Sequence, residues 1–198
     1  MAVTAELVKE LRTRTGAGIM DCREALEKSE GNLDQAADWL RQKGIARAEK
    51  KASRATSEGQ VISYIHPGGR VGVLIEVNCE TDFVAKTEDF QKLCQELAMQ
   101  VAAMSPVFVR REDIPQELVD KELAGYRQAV IEEGKPEHMA DKIAQGKVEK
   151  YFEQQCLLEQ PYMREGSKKI NDLVKETVGK LGENIQVRRF VRYSLGDA

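Results

Sequence analysis

Apolar positions recur at intervals of three and four along most of the chain, the period of helices that bury one face. Leu7, Val8 and Leu11 predict a helix over residues 4–15, with Thr4 as its N-cap. Gly16 and Gly18 bracket a tight turn, Gly16-Ala17-Gly18-Ile19-Met20. Asp21 then stands as the cap of a second helix, with Glu24 three residues on completing a capping box and Ala25 and Leu26 facing inward. Ser29-Glu30-Gly31 ends that helix. Asn32 caps a third, with Gln35 in the box position, a stripe of Leu33, Ala36, Ala37 and Leu40, and Gly44 as the stop. Three short helices of this kind form a small bundle, near the lower size limit for folding alone. Trp39, on the last of them, is expected as a partly buried amphipathic residue.

The period then changes to two. Residues 61–66 and 70–77 are β-rich runs around Pro67-Gly68-Gly69, a hairpin with a glycine turn. Ile62, Tyr64, Val73 and Ile75 share its covered face. Helical spacing returns at Thr87, which caps a stripe of Phe90, Leu93, Cys94, Leu97, Ala98 and Val101 that Pro106 ends. Val107-Phe108-Val109 reads as a short strand. Pro115 opens a helix through Leu118, Leu123, Tyr126 and Val130, stopped by Gly134. Pro136 opens another, with Met139, Ile143, Val148, Tyr151 and Phe152 inward, ending in residues 157–162. Residues 168–181 form an amphipathic helix through Ile170, Leu173, Val174 and Val178. Gly182-Glu183-Asn184 turns the chain into residues 185–193, where Val187 and Val191 alternate with charge as a third strand against the hairpin. The order predicts an α+β fold. A three-helix bundle and basic segment (residues 1–54) precede a core (residues 55–198) of about three antiparallel strands with helices on one face. The boundary falls in the stretch with Ser53, Thr56, Ser57 and Gly59.

Composition narrows the functional classes. The 198 residues are 41% hydrophobic and 32% charged, enough apolar content for a packed core. No apolar run approaches the roughly 18 residues of a membrane span. The start, Met1-Ala2-Val3-Thr4-Ala5-Glu6, has neither the basic nor the apolar region of a secretory leader. The net charge of -3 supplies no global attraction to nucleic acid. A basic run does occur, with Arg41, Lys43, Arg47, Lys50, Lys51 and Arg54, but it lacks interleaved aromatics and Glu49 interrupts it. A solvated helix or linker is the commoner meaning of such a run. The four cysteines, Cys22, Cys79, Cys94 and Cys156, form no CxxC pair, and the only histidines are His66 and His138. That pattern argues against a zinc site and for small buried thiols in a reducing cytoplasm. No GxxxxGK[ST] phosphate loop is present, and nothing specifies a Cys/His nucleophile, so the chain does not read as an enzyme.

The stretch Asn78-Cys79-Glu80-Thr81-Asp82-Phe83-Val84-Ala85 joins the apolar run 71–77 to the next helix. Such a corner leaves backbone donors free and side chains projecting. Two readings stand. In one, Thr81 or Asp82 caps the helix and Phe83 folds into the core. In the other, Asp82 and Phe83 form an exposed wedge with a charged tip.

This stretch, following Arg70-Val71-Gly72-Val73-Leu74-Ile75-Glu76-Val77, closely resembles the signature of the elongation factor Ts family. Thr15-Gly16-Ala17-Gly18-Ile19-Met20-Asp21-Cys22 resembles the amino-terminal signature of the same family, and the bundle resembles a ubiquitin-associated domain. Residues 135–162, and Gly182-Glu183-Asn184-Ile185 followed by Val187-Arg188-Arg189-Phe190, are similar to it as well. The resemblance implies guanine-nucleotide exchange on elongation factor Tu, with no cofactor, no covalent chemistry and a cytoplasmic setting. It implies that Thr81, Asp82, Phe83 and Val84 disturb the magnesium site of the GTPase. Phe83 would be the wedge, Asp82 the polar disruptor, and Thr81 and Val84 would fix the corner. It also makes Ile19 and Met20 docking contacts, against the alternative that both fill the bundle core. Longer members carry two related core halves, where one unit follows the bundle here. A homodimer is therefore expected, through a sheet patch involving Tyr64, Val73, Phe190 or Tyr193. The competing function is a helical-bundle module for RNA or a ubiquitin-like partner.

Overall fold

The computed structural model describes residues 3–196. Their elements run α1 (Ala5–Thr15), α2 (Ile19–Lys28), α3 (Leu33–Lys51), β1 (Glu58–Ile65), β2 (Val71–Cys79), α4 (Asp82–Ala85) and α5 (Glu88–Met104), followed by α6 (Gln116–Glu132), α7 (Glu137–Gln155), β3 (Pro161–Tyr162), β4 (Glu165–Lys169), α8 (Ile170–Leu181) and β5 (Ile185–Ser194). The fold is α+β: a three-stranded antiparallel sheet in the order β1-β2-β5 and a separate β3-β4 pair. Contacts gather into two compact units. One takes the described residues up to Gln60 with Val77–Leu93 and Asp172–Gln186. The other takes Val61–Glu76, Cys94–Asn171 and the described residues from Val187 onward.

In the first unit the caps of α1 and α3 form as their residue types dictate. Thr4 Oγ1 accepts from the Leu7 amide at 3.3 Å. Asn32 Oδ1 accepts from Asp34 and Gln35 at 3.0 and 3.1 Å. Gly16 takes the left-handed conformation, φ 68°, which lets its amide close α1 on the Arg12 carbonyl. The bundle core is Leu11, Cys22, Ala25, Leu26 and Ala36, all fully buried, with Leu33, Leu40 and half-buried Trp39 packed against it. Burying a leucine such as Leu11 or Leu26 is worth about 1.5–3 kcal/mol.

Two expectations for the bundle give way to longer-range contacts. Asp21 does not cap α2, which starts two residues earlier with Gly18 in the cap position. Its carboxylate receives the Arg47 guanidinium at 2.8 and 3.0 Å and the Lys43 ammonium at 2.9 Å, both from α3. Arg47 first, and then Lys43, hold the Asp21 carboxyl down to about 2. Nor does α3 stop at Gly44; it continues to Lys51. Gly44 lies against Gly179 of α8, where a Cβ added to Gly179 would stand 2.6 Å from the Gly44 Cα. The glycine permits two backbones to approach, and the helix tolerates its lower propensity there.

In the second unit α6 and α7 pack as a helical pair, with Pro115 and Pro136 at their starts. The buried stripe of α7 is Ala140, Ala144, Val148 and Phe152, a strict four-residue spacing, so Met139 falls outside it and is exposed. Residues 107–109 form no strand; Phe108 makes an isolated bridge to Cys156. The β3-β4 pair has no counterpart in the sequence pattern, because Glu165-Gly166-Ser167-Lys168-Lys169 carries no apolar alternation. Two buried glutamines secure the region. Gln100 Nε2 donates to Gln160 Oε1 at 3.1 Å, and Gln160 Nε2 donates to the Gln154 carbonyl at 2.8 Å.

The sheet shows period-two burial along β2, where Val73, Ile75, Val77 and Cys79 are buried. Along β5 the pattern slips by one residue. Ile185 and Val187 are buried, Arg188 and Arg189 are both exposed, and Phe190 and Arg192 then take the inward positions. Val187 and Val191 therefore lie on opposite faces. The outward face carries Val61, Ile65, Leu74, Val191 and Tyr193, all exposed. Of the patch expected from sequence, Tyr193 is on this face; Val73 is buried, and Tyr64 and Phe190 are half-buried on the other.

The glycine contact yields a test. Gly→Ala inside an ordinary helix gains up to about 1 kcal/mol. Gly179→Ala is expected to lose about 1–3 kcal/mol through overpacking, whereas Gly44→Ala, whose Cβ would sit 3.7 Å from the Gly179 Cα, is tolerated. Denaturant unfolding of both variants measures this, and a stabilised Gly179→Ala protein would contradict it.

Candidate functional site

The corner between β2 and α4 is built inward from its ends. Cys79 is buried, and its thiol donates to the Thr81 carbonyl at 3.1 Å. Burial, then the Glu183 charge, push that thiol's pKa up, which keeps it a protonated donor. Thr81 is the N-cap of α4, with extended φ and ψ of -130° and 154°, and its hydroxyl oxygen accepts from the Val84 amide at 3.4 Å. Val84 is 9% exposed and Ala85 is buried. Gln60 Nε2 donates to the Ala85 carbonyl at 2.8 Å. Thr87 closes the turn by donating to the Val84 carbonyl at 2.8 Å and capping α5 at Phe90.

Between these anchors Asp82 and Phe83 project. Phe83 is 79% exposed. The two sequence readings of the corner thus each hold in part: Thr81 does cap, and Phe83 does not enter the core. Leaving a phenylalanine in water forgoes about 1.5–3 kcal/mol of burial, at a corner whose other residues are all secured. A local rule broken on a well-ordered element marks a candidate contact surface. Asp82 takes the Lys86 ammonium at 2.6 Å, and this hydrogen bond holds its carboxyl below the usual range.

The residues that secure the corner were not among those singled out from sequence. Thr81 donates twice to one carboxylate, from its amide to Glu183 Oε2 at 3.0 Å and from its hydroxyl to Glu183 Oε1 at 2.7 Å. In return the Asn184 amide donates to Glu80 Oε1 at 2.6 Å. That bond first, with the nearby Arg54 charge, depresses the Glu80 carboxyl. Asn184 is buried, and its side-chain amide donates to the carbonyls of Arg54 and Ala52 at 2.8 and 3.3 Å. The Lys51 ammonium donates to the Gly182 carbonyl. Sequence showed Gly182-Glu183-Asn184 as a turn in a family-like segment, with no role at the corner; an acid directly after a helix stop was the available signal.

Ile19 and Met20 open α2 and are 55% and 75% exposed, so neither fills the bundle core. The Gly16 turn before them is backed by the Lys180 side chain, whose ammonium pairs with Asp89 at 2.6 Å. The basic run is largely consumed inside the molecule. Arg41 faces Asp38, Lys43 and Arg47 face Asp21, Lys51 holds Gly182, and Arg54 approaches Glu80. Among the described residues no group of three or more His, Cys, Asp or Glu side chains is placed to hold a metal ion. All four cysteines are buried, and none is in a disulfide. No helix of the described residues is long and apolar enough to cross a membrane.

Comparison with known proteins points to one family. A family model described as elongation factor TS matches residues 44–197. The chain is similar to elongation factor Ts of Thermotoga neapolitana, 54% identical over 197 residues that cover 100% of this chain and 99% of that one. It is 53% identical over 195 residues to elongation factor Ts of Heliobacterium modesticaldum, covering 98% and 91% of the two chains. With elongation factor Ts of Thermosipho melanesiensis it shares 52% identity over 195 residues, covering 98% and 100%. These relatives are of nearly the same length.

Adjacent residues of the corner should respond oppositely to truncation. Phe83→Ala is expected to change unfolding free energy by about 0.5 kcal/mol or less, as for an exposed side chain. Val84→Ala, one residue on and buried, is expected to cost about 1–3 kcal/mol. Thermal and denaturant unfolding compare them; a large loss on Phe83→Ala would place the ring in the core.

Proposed function

The chain belongs to the elongation factor Ts family, and from that premise we propose that it promotes GDP release from elongation factor Tu by binding it and disturbing its magnesium and phosphate site. As a member of the family it is a translation elongation factor. The observation that carries the finer reading is the exposure of Phe83 on a corner whose neighbours are anchored. A ring already in water and already positioned can enter a partner without first leaving a core, and it regains there the burial it lacks.

The mechanism is linkage. A GTPase holds GDP through magnesium and phosphate contacts. A partner that binds the state with those contacts broken must weaken GDP, and GDP must weaken the partner by the same factor. Phe83 is the wedge, Asp82 the polar group set against the magnesium network, and Thr81 and Val84 keep the corner in shape. Residues 1–54 act as the docking module, with Ile19 and Met20 as its exposed contacts, and residues 55–198 as the core that carries the corner. The reading asks no covalent step and no cofactor of this chain, and it places the protein in the cytoplasm with its partner. The alternative, a bundle that binds RNA or a ubiquitin-like partner, draws less support, because most cations of the basic run already have partners within the molecule.

A homodimer completes the proposal. Val61, Ile65, Leu74, Val191 and Tyr193 leave one face of the sheet apolar and exposed. A two-fold axis covers such a face with a single self-complementary patch.

Exchange is measured by release of a fluorescent GDP from elongation factor Tu. Catalytic amounts of the unaltered protein are expected to accelerate it. Asp82→Ala and Phe83→Ala are each expected to slow it by about tenfold or more, roughly 1.4 kcal/mol of lost stabilisation, with unchanged circular dichroism. Unaltered rates from both folded variants would overturn the role of the corner.

Sedimentation tests the dimer independently. The protein is expected to sediment as a dimer at micromolar concentration, and Leu74→Glu with Val191→Glu to yield a folded monomer. A monomer at all concentrations with full exchange activity would overturn it.

A further inference from the structure

We propose that Glu183 is a positioning residue for nucleotide exchange, holding Thr81 so that Asp82 and Phe83 are presented in one orientation. The inference rests on the exchange reading above and deepens it. Glu183 lies on the turn between α8 and β5, and both of its carboxylate oxygens accept from Thr81, so its action on Asp82 and Phe83 runs through Thr81.

The corner needs an external hold. Helix α4 is four residues long, a single turn, and a single turn has little stability of its own. Its cap bond, from the Val84 amide to the Thr81 hydroxyl, is long at 3.4 Å. Phe83 contributes little packing, since its ring is in solvent. Against this, the Glu183 carboxylate takes both donors of Thr81 at once, at 3.0 and 2.7 Å. Two charge-assisted bonds to one residue fix its direction as well as its place. The hydroxyl hydrogen goes to Glu183, which leaves the hydroxyl oxygen free to accept from Val84.

The hold is itself held. Gly182 ends α8 in the left-handed conformation, φ 79°, and its amide closes on the Val178 carbonyl at 2.9 Å. Asn184 binds the carbonyls of Ala52 and Arg54, and Lys51 binds the Gly182 carbonyl. The Glu80 carboxylate, next to Thr81, receives the Asn184 amide at 2.6 Å. Two acids on facing segments thus each accept from the other segment's backbone. The end of α3 fixes the turn, the turn fixes Thr81, and Thr81 fixes the start of α4. Without Glu183 the corner samples other orientations, and exchange falls with the fraction of molecules that hold the competent one.

The test measures exchange against factor concentration for the full-length protein, Glu183→Gln, Glu183→Ala and Thr81→Val, and for Glu183→Ala placed in the Asp82→Ala/Phe83→Ala protein. Glu183→Ala is expected to lower the saturating rate by about tenfold, the scale of a misplaced reacting group, with a smaller change in the concentration for half-saturation. Glu183→Gln keeps an acceptor for the Thr81 amide and a donor toward its hydroxyl, and is expected to recover most of the rate. Thr81→Val removes the hydroxyl contact at nearly constant volume and is expected to lower the saturating rate in the same way, which keeps the test decisive if Glu183→Ala does not fold. In the Asp82→Ala/Phe83→Ala background, Glu183→Ala is expected to add no further loss, because a residue that acts through those side chains has nothing left to position. Equal saturating rates from the unaltered protein and from folded Glu183→Ala or Thr81→Val would overturn the proposal. So would an equal fold-loss with and without Asp82 and Phe83. If the unaltered protein fails to accelerate GDP release, the exchange reading falls and takes this one with it; if it accelerates release and Glu183→Ala does so equally, only the positioning role falls.

Discussion

A carboxylate that accepts two hydrogen bonds from one threonine secures the corner on which the functional reading depends. Thr81 sits where a strand ends and a one-turn helix begins, a place with few backbone partners of its own. Glu183 supplies those partners from a turn that is distant in the chain, and Glu80 returns the favour to Asn184. The result is a fixed platform with two side chains, Asp82 and Phe83, facing outward from it. In the proposed exchange role, side chains held this way would lose little freedom when a partner closes on them, leaving more of their contact energy for the state selected.

The same chain of supports explains features far from the corner. The Gly44–Gly179 approach brings α3 and α8 close together. That closeness lets Lys51, Ala52 and Arg54, at the end of α3, reach Gly182 and Asn184, at the end of α8. The basic run acquires a structural meaning: Lys43 and Arg47 pin α2 through Asp21, Lys51 holds the turn, and Arg54 approaches Glu80. Charges that resemble a nucleic-acid stripe along the sequence are spent on intramolecular order.

Much of this architecture is legible in the residues themselves. Thr4, Asn32 and Thr87 read as caps and are caps, because capping is settled within three residues. The hairpin, the buried stripe of α5 and the third strand follow from periodicity for the same local reason. What escaped detection depends on contacts remote in sequence. Gly44 has the appearance of a helix stop until Gly179 stands opposite it. Asp21 has the appearance of a cap until Arg47 and Lys43 claim it. The one-residue slip at Arg188–Arg189 reverses the face of Val191, and no local pattern announces it. At the corner the residue types offered Thr81 or Asp82 as a cap; the choice of Thr81, the exposure of Phe83 and the hold from Glu183 required the fold.

The central claim is that Thr81 and Asn184 form one reciprocal brace in the free protein. Amide hydrogen exchange measures it most directly, since the Thr81 amide donates to Glu183 and the Asn184 amide to Glu80. Both amides are predicted to exchange far more slowly than in an unstructured peptide, with similar protection, and to lose that protection together in Glu183→Ala. Exchange of the Thr81 amide at the unstructured rate in the unaltered protein, or protection of Thr81 that survives removal of Glu183, would contradict the account.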